Sequence, residues 1–158
     1  MTPRETVDVL VGLIGDGADR WLVNRRRPGT HLAGLWEFPG GKRKAGETPL
    51  AALKRELDEE LGIDVRAAEP WLTLVHDYPE KRVRLLVWRV LEYAGAVTAR
   101  EGQPLDWVRV ENLAALPLLP ADLPIVALLR DRGRDTVSSA PSRRRRLSKG
   151  RAGTSRPD

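Results

Sequence analysis

The sequence predicts an α/β fold in which a mixed β-sheet is packed between helices. Three observations lead there. Residues 7–14, 21–25, 71–76, 82–90 and 106–110 are rich in β-branched and aromatic side chains and are bounded by Gly, Pro and Asp turns, the pattern of strands. Residues 49–61 carry start, stop and periodicity signals of an amphipathic helix between those strands. Residues 123–130 read as a second, closing helix, and strands interspersed with helices favour a sheet covered on its faces.

The first strand ends at Gly15-Asp16-Gly17, and Pro79-Glu80-Lys81 separates the strands at 71–76 and 82–90, so both triplets are expected to be hairpin turns. The helix at 49–61 begins with Thr48 as N-cap and Pro49 at the first helical position, where a missing N–H is harmless. It stops at Gly62, a residue suited to the left-handed cap. At 100° per residue, Leu50, Leu53, Leu57 and Leu61 fall in a stripe about 80° wide, and Glu56, Glu59 and Glu60 in a neighbouring one about 100° wide. One stripe is core; the other faces something charged.

Carboxylates at i, i+3 and i+4 repel one another, which a divalent cation relieves. Magnesium takes oxygen ligands, keeps several waters and often completes its shell with substrate phosphates. The alternative is a solvated acidic face with Arg55 paired to Glu59. Upstream, Gly40 and Gly41 let the backbone approach a ligand, and Lys42, Arg43 and Lys44 follow as positive charge suited to polyphosphate; without the neighbouring helix the glycines would read as a tight turn after a strand.

At 158 residues the chain suffices for one well-buried domain, expected over residues 1–130. That part holds 18 Lys and Arg against 19 Asp and Glu, whereas residues 131–158 hold 9 against 3, so the net charge of +5 belongs to the tail. The tail includes the Arg143–Arg146 run, is rich in Ser, Gly, Pro and Arg, and is expected to be disordered. The arginine run could instead contact nucleic acid. Absence of cysteine excludes disulfides and thiol chemistry. No 18-residue apolar run or signal-peptide pattern occurs, so a cytoplasmic protein with no membrane partner is expected.

Written with x for any residue, the central segment is Gly41-x5-Glu47-x7-Arg55-Glu56-Leu57-x-Glu59-Glu60-x-Gly62-Ile63, which resembles the Nudix box at every specified position. Chance would produce this roughly once in a billion starts. The chain thus resembles a Nudix hydrolase, with the α/β/α sandwich of that family as the expected fold. Arg25-Arg26, His31, the run from Leu35 to Gly41, Tyr78-Pro79, Glu101 to Pro104, Trp107 and Pro120 to Pro124 extend the likeness to the MutT branch, whose members are 8-oxo-dGTP diphosphatases.

The resemblance implies roles. Glu56, Glu59 and Glu60 would ligate Mg2+, with Mn2+ as substitute, joined by the Gly40 carbonyl; Glu101 would be a further ligand or the general base. Arg55 would orient Glu56, and Glu47 would serve structure or electrostatics. Arg26, His31, the backbone of Glu37, Phe38 and Pro39, Tyr78 and Asp122 would contact the nucleotide. The implied reaction is attack of water at the β-phosphorus of a nucleoside triphosphate, giving a monophosphate and pyrophosphate, by a monomeric enzyme. MutT has an asparagine where this chain has Asp122, and an ionised aspartate only accepts hydrogen bonds. Dihydroneopterin triphosphate or an ordinary nucleotide is therefore an alternative substrate, Asp122 is alternatively a helix N-cap, and a binding module or half of a fusion protein is the reading from another class.

Overall fold

The computed structural model describes residues 5–137, with side chains through Arg132. In chain order the elements are β1 (Thr6–Leu13), β2 (Arg20–Arg25), β3 (Trp36–Glu37), β4 (Gly40–Lys42), α1 (Pro49–Leu61), β5 (Asp64–Asp77), β6 (Arg82–Ala94), β7 (Leu105–Arg109), α2 (Val110–Leu113), a 3-10 turn (Pro120–Asp122) and α3 (Leu123–Val137). One sheet has the order β4-β1-β6-β5 and the other β3-β2-β7. β1 lies parallel to β6 and antiparallel to β4, so the larger sheet is mixed.

Period-two alternation along β1 and β2 builds the layers. Leu10 and Leu22 pack with Leu53, Leu57 and Leu61 of α1, while Val11, Leu13 and Val23 pack with Ile125, Val126 and Leu129 of α3. The sheets are thus sandwiched between α1 and α3, an α/β/α arrangement. Leu53, Leu57 and Leu61 are wholly buried, and truncating any one to alanine should cost about 2–5 kcal/mol. Leu50, expected in the same stripe, lies in the first turn and is 39% exposed.

The box helix has the expected ends. Thr48 accepts a hydrogen bond from the Ala51 N–H at 3.1 Å, and Gly62 closes the helix at φ 71° with its N–H bonded to the Asp58 carbonyl. The loop after β6 then caps the last carbonyls: Thr98 N–H donates to Leu61 O, and Arg100 N–H and Gln103 Nε2 donate to Glu60 O. Docking of this loop on the end of α1 brings Glu101 towards the box from 41 positions downstream of Glu60.

Several boundaries differ from the sequence reading. β5 begins at Asp64 rather than 71, because register irregularities near Val65, Ala67 and Pro70 break the alternation that marks a strand. β6 extends to Ala94, and the short strands β3 and β4, as well as α2, carry too few residues to show a period. Residues 78–81 form the expected hairpin, with Tyr78 and Lys81 exchanging backbone hydrogen bonds. At Gly15-Asp16-Gly17 the Asp16 carboxylate accepts from Ala18 and Arg20 N–H and a Gly15–Trp21 bridge closes the turn, but β1 and β2 then diverge into different sheets. α3 crosses the boundary expected at residue 130 and runs to Val137, so the start of the segment expected to be disordered is helical; Arg132 lies 5.5 Å from the Trp71 ring centroid. The arginine run lies outside the described residues. No described helix is long and apolar enough to cross a membrane.

Candidate active site

The site forms where β3, β4, α1 and the loop before α3 meet. Gly40 and Gly41 are required there by space. A Cβ on Gly40, whose φ is 152°, would stand 1.9 Å from Leu10 O, and one on Gly41 would stand 2.4 Å from the Glu56 carboxyl. The second contact shows the Glu56 carboxyl lying directly against the glycine strand.

Arg55 organises the acidic face. Its Nε and Nη2 grip Glu47 at 2.6 and 2.9 Å, its Nη1 reaches Glu56 at 3.0 Å and Glu59 at 3.4 Å, and Nη2 also donates to Lys42 O. The Arg55 hydrogen bonds, aided by the Lys44 N–H, lower the Glu47 carboxyl to about 2, and Glu47 raises the Arg55 guanidinium in return. Of the three loop cations, Lys42 lines the neighbouring cleft, whereas Arg43 is held by Asp8 and the Glu47 carbonyl.

Glu60 points inward. Its Oε1 accepts from Gly40 N–H at 3.2 Å, and burial together with Glu56, Glu37 and Glu101 raises it to about 9. Glu101 occupies the capping loop, with its N–H donating to Gln103 Oε1 and its carbonyl accepting from Arg27 Nη1. Gln103, only 5% exposed, ties this loop to α1, a role that the Glu101 to Pro104 motif by itself did not assign.

The donor set is entirely oxygen and several-fold anionic, which suits a hard divalent cation, and the repulsion raising Glu60 is of the kind a cation removes. The carboxylates are nonetheless not gathered around a common point: among the described residues no three Asp, Glu, His or Cys side chains are grouped to hold a metal. Glu56 and Glu59 are turned to Arg55, and Glu60 to the Gly40 amide.

Adjoining this face is a cleft of about 160 Å3, lined among others by Arg26, His31, Glu37, Phe38, Gly40, Tyr78 and Asp122. Pro39 alone of the expected nucleotide-contacting residues is absent from the lining; its carbonyl accepts from Gly12 N–H at 2.8 Å. Arg26 donates to Glu37 at 3.0 Å and to His31 O at 2.6 Å, and the His31 ring meets Tyr78 edge-on at 5.7 Å. Burial raises Glu37 against the pull of Arg26. Asp122 does not cap α3: it lies in the preceding turn and accepts from Phe38 N–H at 3.0 Å, where burial raises its carboxyl to about 7. A larger concavity of about 300 Å3 between Pro49 and Trp71, Trp88 and their neighbours is lined, among the described residues, without any carboxylate.

A sandwich that sets a glutamate helix and a glycine strand beside a polar cleft is the arrangement expected from the Nudix resemblance. The family model for the NUDIX domain matches residues 10–128, and the chain belongs to the Nudix hydrolase family. It is 35% identical over 124 residues to the 8-oxo-dGTP diphosphatase of Escherichia coli K12, covering 78% of this chain and 96% of that one. It is 37% identical over 105 residues to the CTP pyrophosphohydrolase of the same organism, covering 66% and 78%. A structure from work on the MutT proteins of Aliivibrio salmonicida and Vibrio cholerae superposes with a TM-score of 0.71 at 29% identity, covering 81% of this chain and 99% of that one. The protein is therefore an enzyme of the MutT type, and members of its family generally need a divalent metal.

Proposed function

We propose that this protein hydrolyses 8-oxo-purine deoxynucleoside triphosphates to the monophosphate and pyrophosphate in the cytoplasm, as a monomer using Mg2+, with Mn2+ able to replace it. The observation that carries the reading is the continuity between the Asp122–Phe38–Tyr78 cleft and the α1 carboxylates through Gly40 and Gly41. A nucleoside can occupy the first while its phosphates reach the second.

Glu56, Glu59, Glu60, Glu101 and the Gly40 carbonyl would hold the cation. When bound, it neutralises phosphate charge and favours attack at phosphorus. Arg55 fixes the direction of Glu56 and prevents Glu47 from competing as a base, because that carboxylate is saturated by the guanidinium and the Lys44 amide. Arg26 and Lys42 place positive charge on the cleft wall. A protonated Asp122 can donate as well as accept toward a base, which is how it could replace an asparagine amide.

A second reading is favoured by the CTP pyrophosphohydrolase relative, and an ionised Asp122 is compatible with it, since a carboxylate accepts from the exocyclic amino group of cytosine as it would from that of guanine. Pyrophosphate release from 8-oxo-dGTP, dGTP, CTP and dihydroneopterin triphosphate, with Glu60→Gln as control, decides between them. Preferred, Glu60-dependent turnover of 8-oxo-dGTP supports the first reading. Preference for CTP supports the second, and no turnover of any compound would leave a binding module. Removal of residues 138–158 is expected to leave turnover unchanged, since the catalytic groups proposed lie between Gly40 and Glu101.

A further inference from the structure

Among the described residues, one buried side-chain atom lacks a hydrogen-bond partner: Asn24 Oδ1, on a residue 7% exposed. Leaving such an acceptor dry forfeits the solvation it had in the unfolded chain, so a built site supplies a partner. The amide cannot simply turn over, because Nδ2 donates to Glu37 Oε2 at 3.2 Å and the exchange would set oxygen against carboxylate.

The surroundings of that oxygen can be read from β2. Asn24 shares a face with Leu22, which packs among Leu53, Leu57 and Leu61, so its side chain lies on the α1 side of the sheet. In register it opposes Glu37 on β3 and Leu105 on β7, immediately after the loop that carries Glu101 and Gln103. Glu37 and Glu101 both act electrostatically on Glu60. Asn24 thus lies beneath the acidic group, tied to it through Glu37 and carrying a buried oxygen without charge.

We propose that Asn24 is a positioning residue of the divalent-metal site: its Nδ2 holds Glu37 in place, and its Oδ1 accepts a hydrogen bond from the hydration shell of the cation. This rests on the metal-dependent reading above. Magnesium and manganese retain water, and water bound to a cation acts as a donor seeking outer acceptors. A carboxylate at this position would add like charge beside Glu37, and an apolar side chain would offer no acceptor; a neutral amide avoids both faults.

The test uses the whole chain and Mn2+ alone, without nucleotide. Mn2+ affinity is measured by titration calorimetry and by electron paramagnetic resonance of the free ion for the natural protein, Asn24→Leu, Asn24→Ala and Glu60→Gln, with melting in EDTA in parallel. Both Asn24 variants are expected to bind Mn2+ roughly 10-fold more weakly, to an extent that does not follow their melting temperatures in EDTA. Affinity within about twofold of the natural protein overturns the proposal, as does weaker binding that tracks a fall in the EDTA melting temperature of both variants. Failure of the natural protein to bind Mn2+, or equal binding by Glu60→Gln, overturns the underlying metal reading and this inference with it.

Discussion

Asp122→Asn should stabilise the fold, and increasingly so as pH rises. The carboxyl is 3% exposed, accepts one hydrogen bond from Phe38 N–H, and faces Glu37 and Tyr78 as well as Arg26. Its folded value is raised from 3.8 to about 7, so the folded state retains a proton that the unfolded chain gives up. The favourable contribution is complete below 3.8 and is lost as pH climbs through about 7. That displacement corresponds to roughly 4 kcal/mol once both states are ionised. Asparagine has the same shape, does not titrate and still offers an oxygen to Phe38 N–H. Its advantage over aspartate should therefore widen by about 2–3 kcal/mol between pH 5 and pH 8. Urea unfolding in EDTA at several pH values measures this, with Glu60 common to both proteins and so cancelling from the difference. A difference independent of pH to within about 0.5 kcal/mol would refute the reasoning, and would mean that Asp122 is solvated or held ionised by Arg26.

Glu60→Gln should lower turnover about 10²–10⁴-fold in steady-state kinetics, the range for loss of an essential acid–base or ligand group; activity near that of the natural enzyme would remove Glu60 from the mechanism. The Glu60 shift from 4.5 to about 9 means that metal-free protein should melt lower as pH rises across that window, and that added Mg2+ should reverse the fall. Gly41→Ala should fold, because the Glu56 side chain can move from its 2.4 Å conflict, yet lose metal-dependent activity; Gly40→Ala meets Leu10 backbone at 1.9 Å and should unfold at lower temperature. Arg55→Lys keeps the charge but cannot grip Glu47 through two nitrogens, so turnover should drop about 10–100-fold with the melting temperature nearly unchanged.

The sequence by itself determined α1 from cap to cap. Thr48, Pro49, the leucine stripe and Gly62 act within a few residues of one another, and helix periodicity is a local property. The acidic face, the glycine pair and the box that carries the family likeness were legible for the same reason: their residues lie close along the chain. The tertiary structure decided what depended on distant segments. Glu101 reaches the site because Gln103 and Arg100 bond the last turn of α1, and the short strands β3 and β4 exist through partners on β2 and β1. Asp122 could equally have been a helix cap until its turn packed against Phe38. Asn24 gave no motif at all; only the burial of its amide beside Glu37 shows that one of its two polar atoms is unmatched. Charge pattern is written in the chain, but whether a charge or an amide is dry, and what stands opposite it, is settled only by packing.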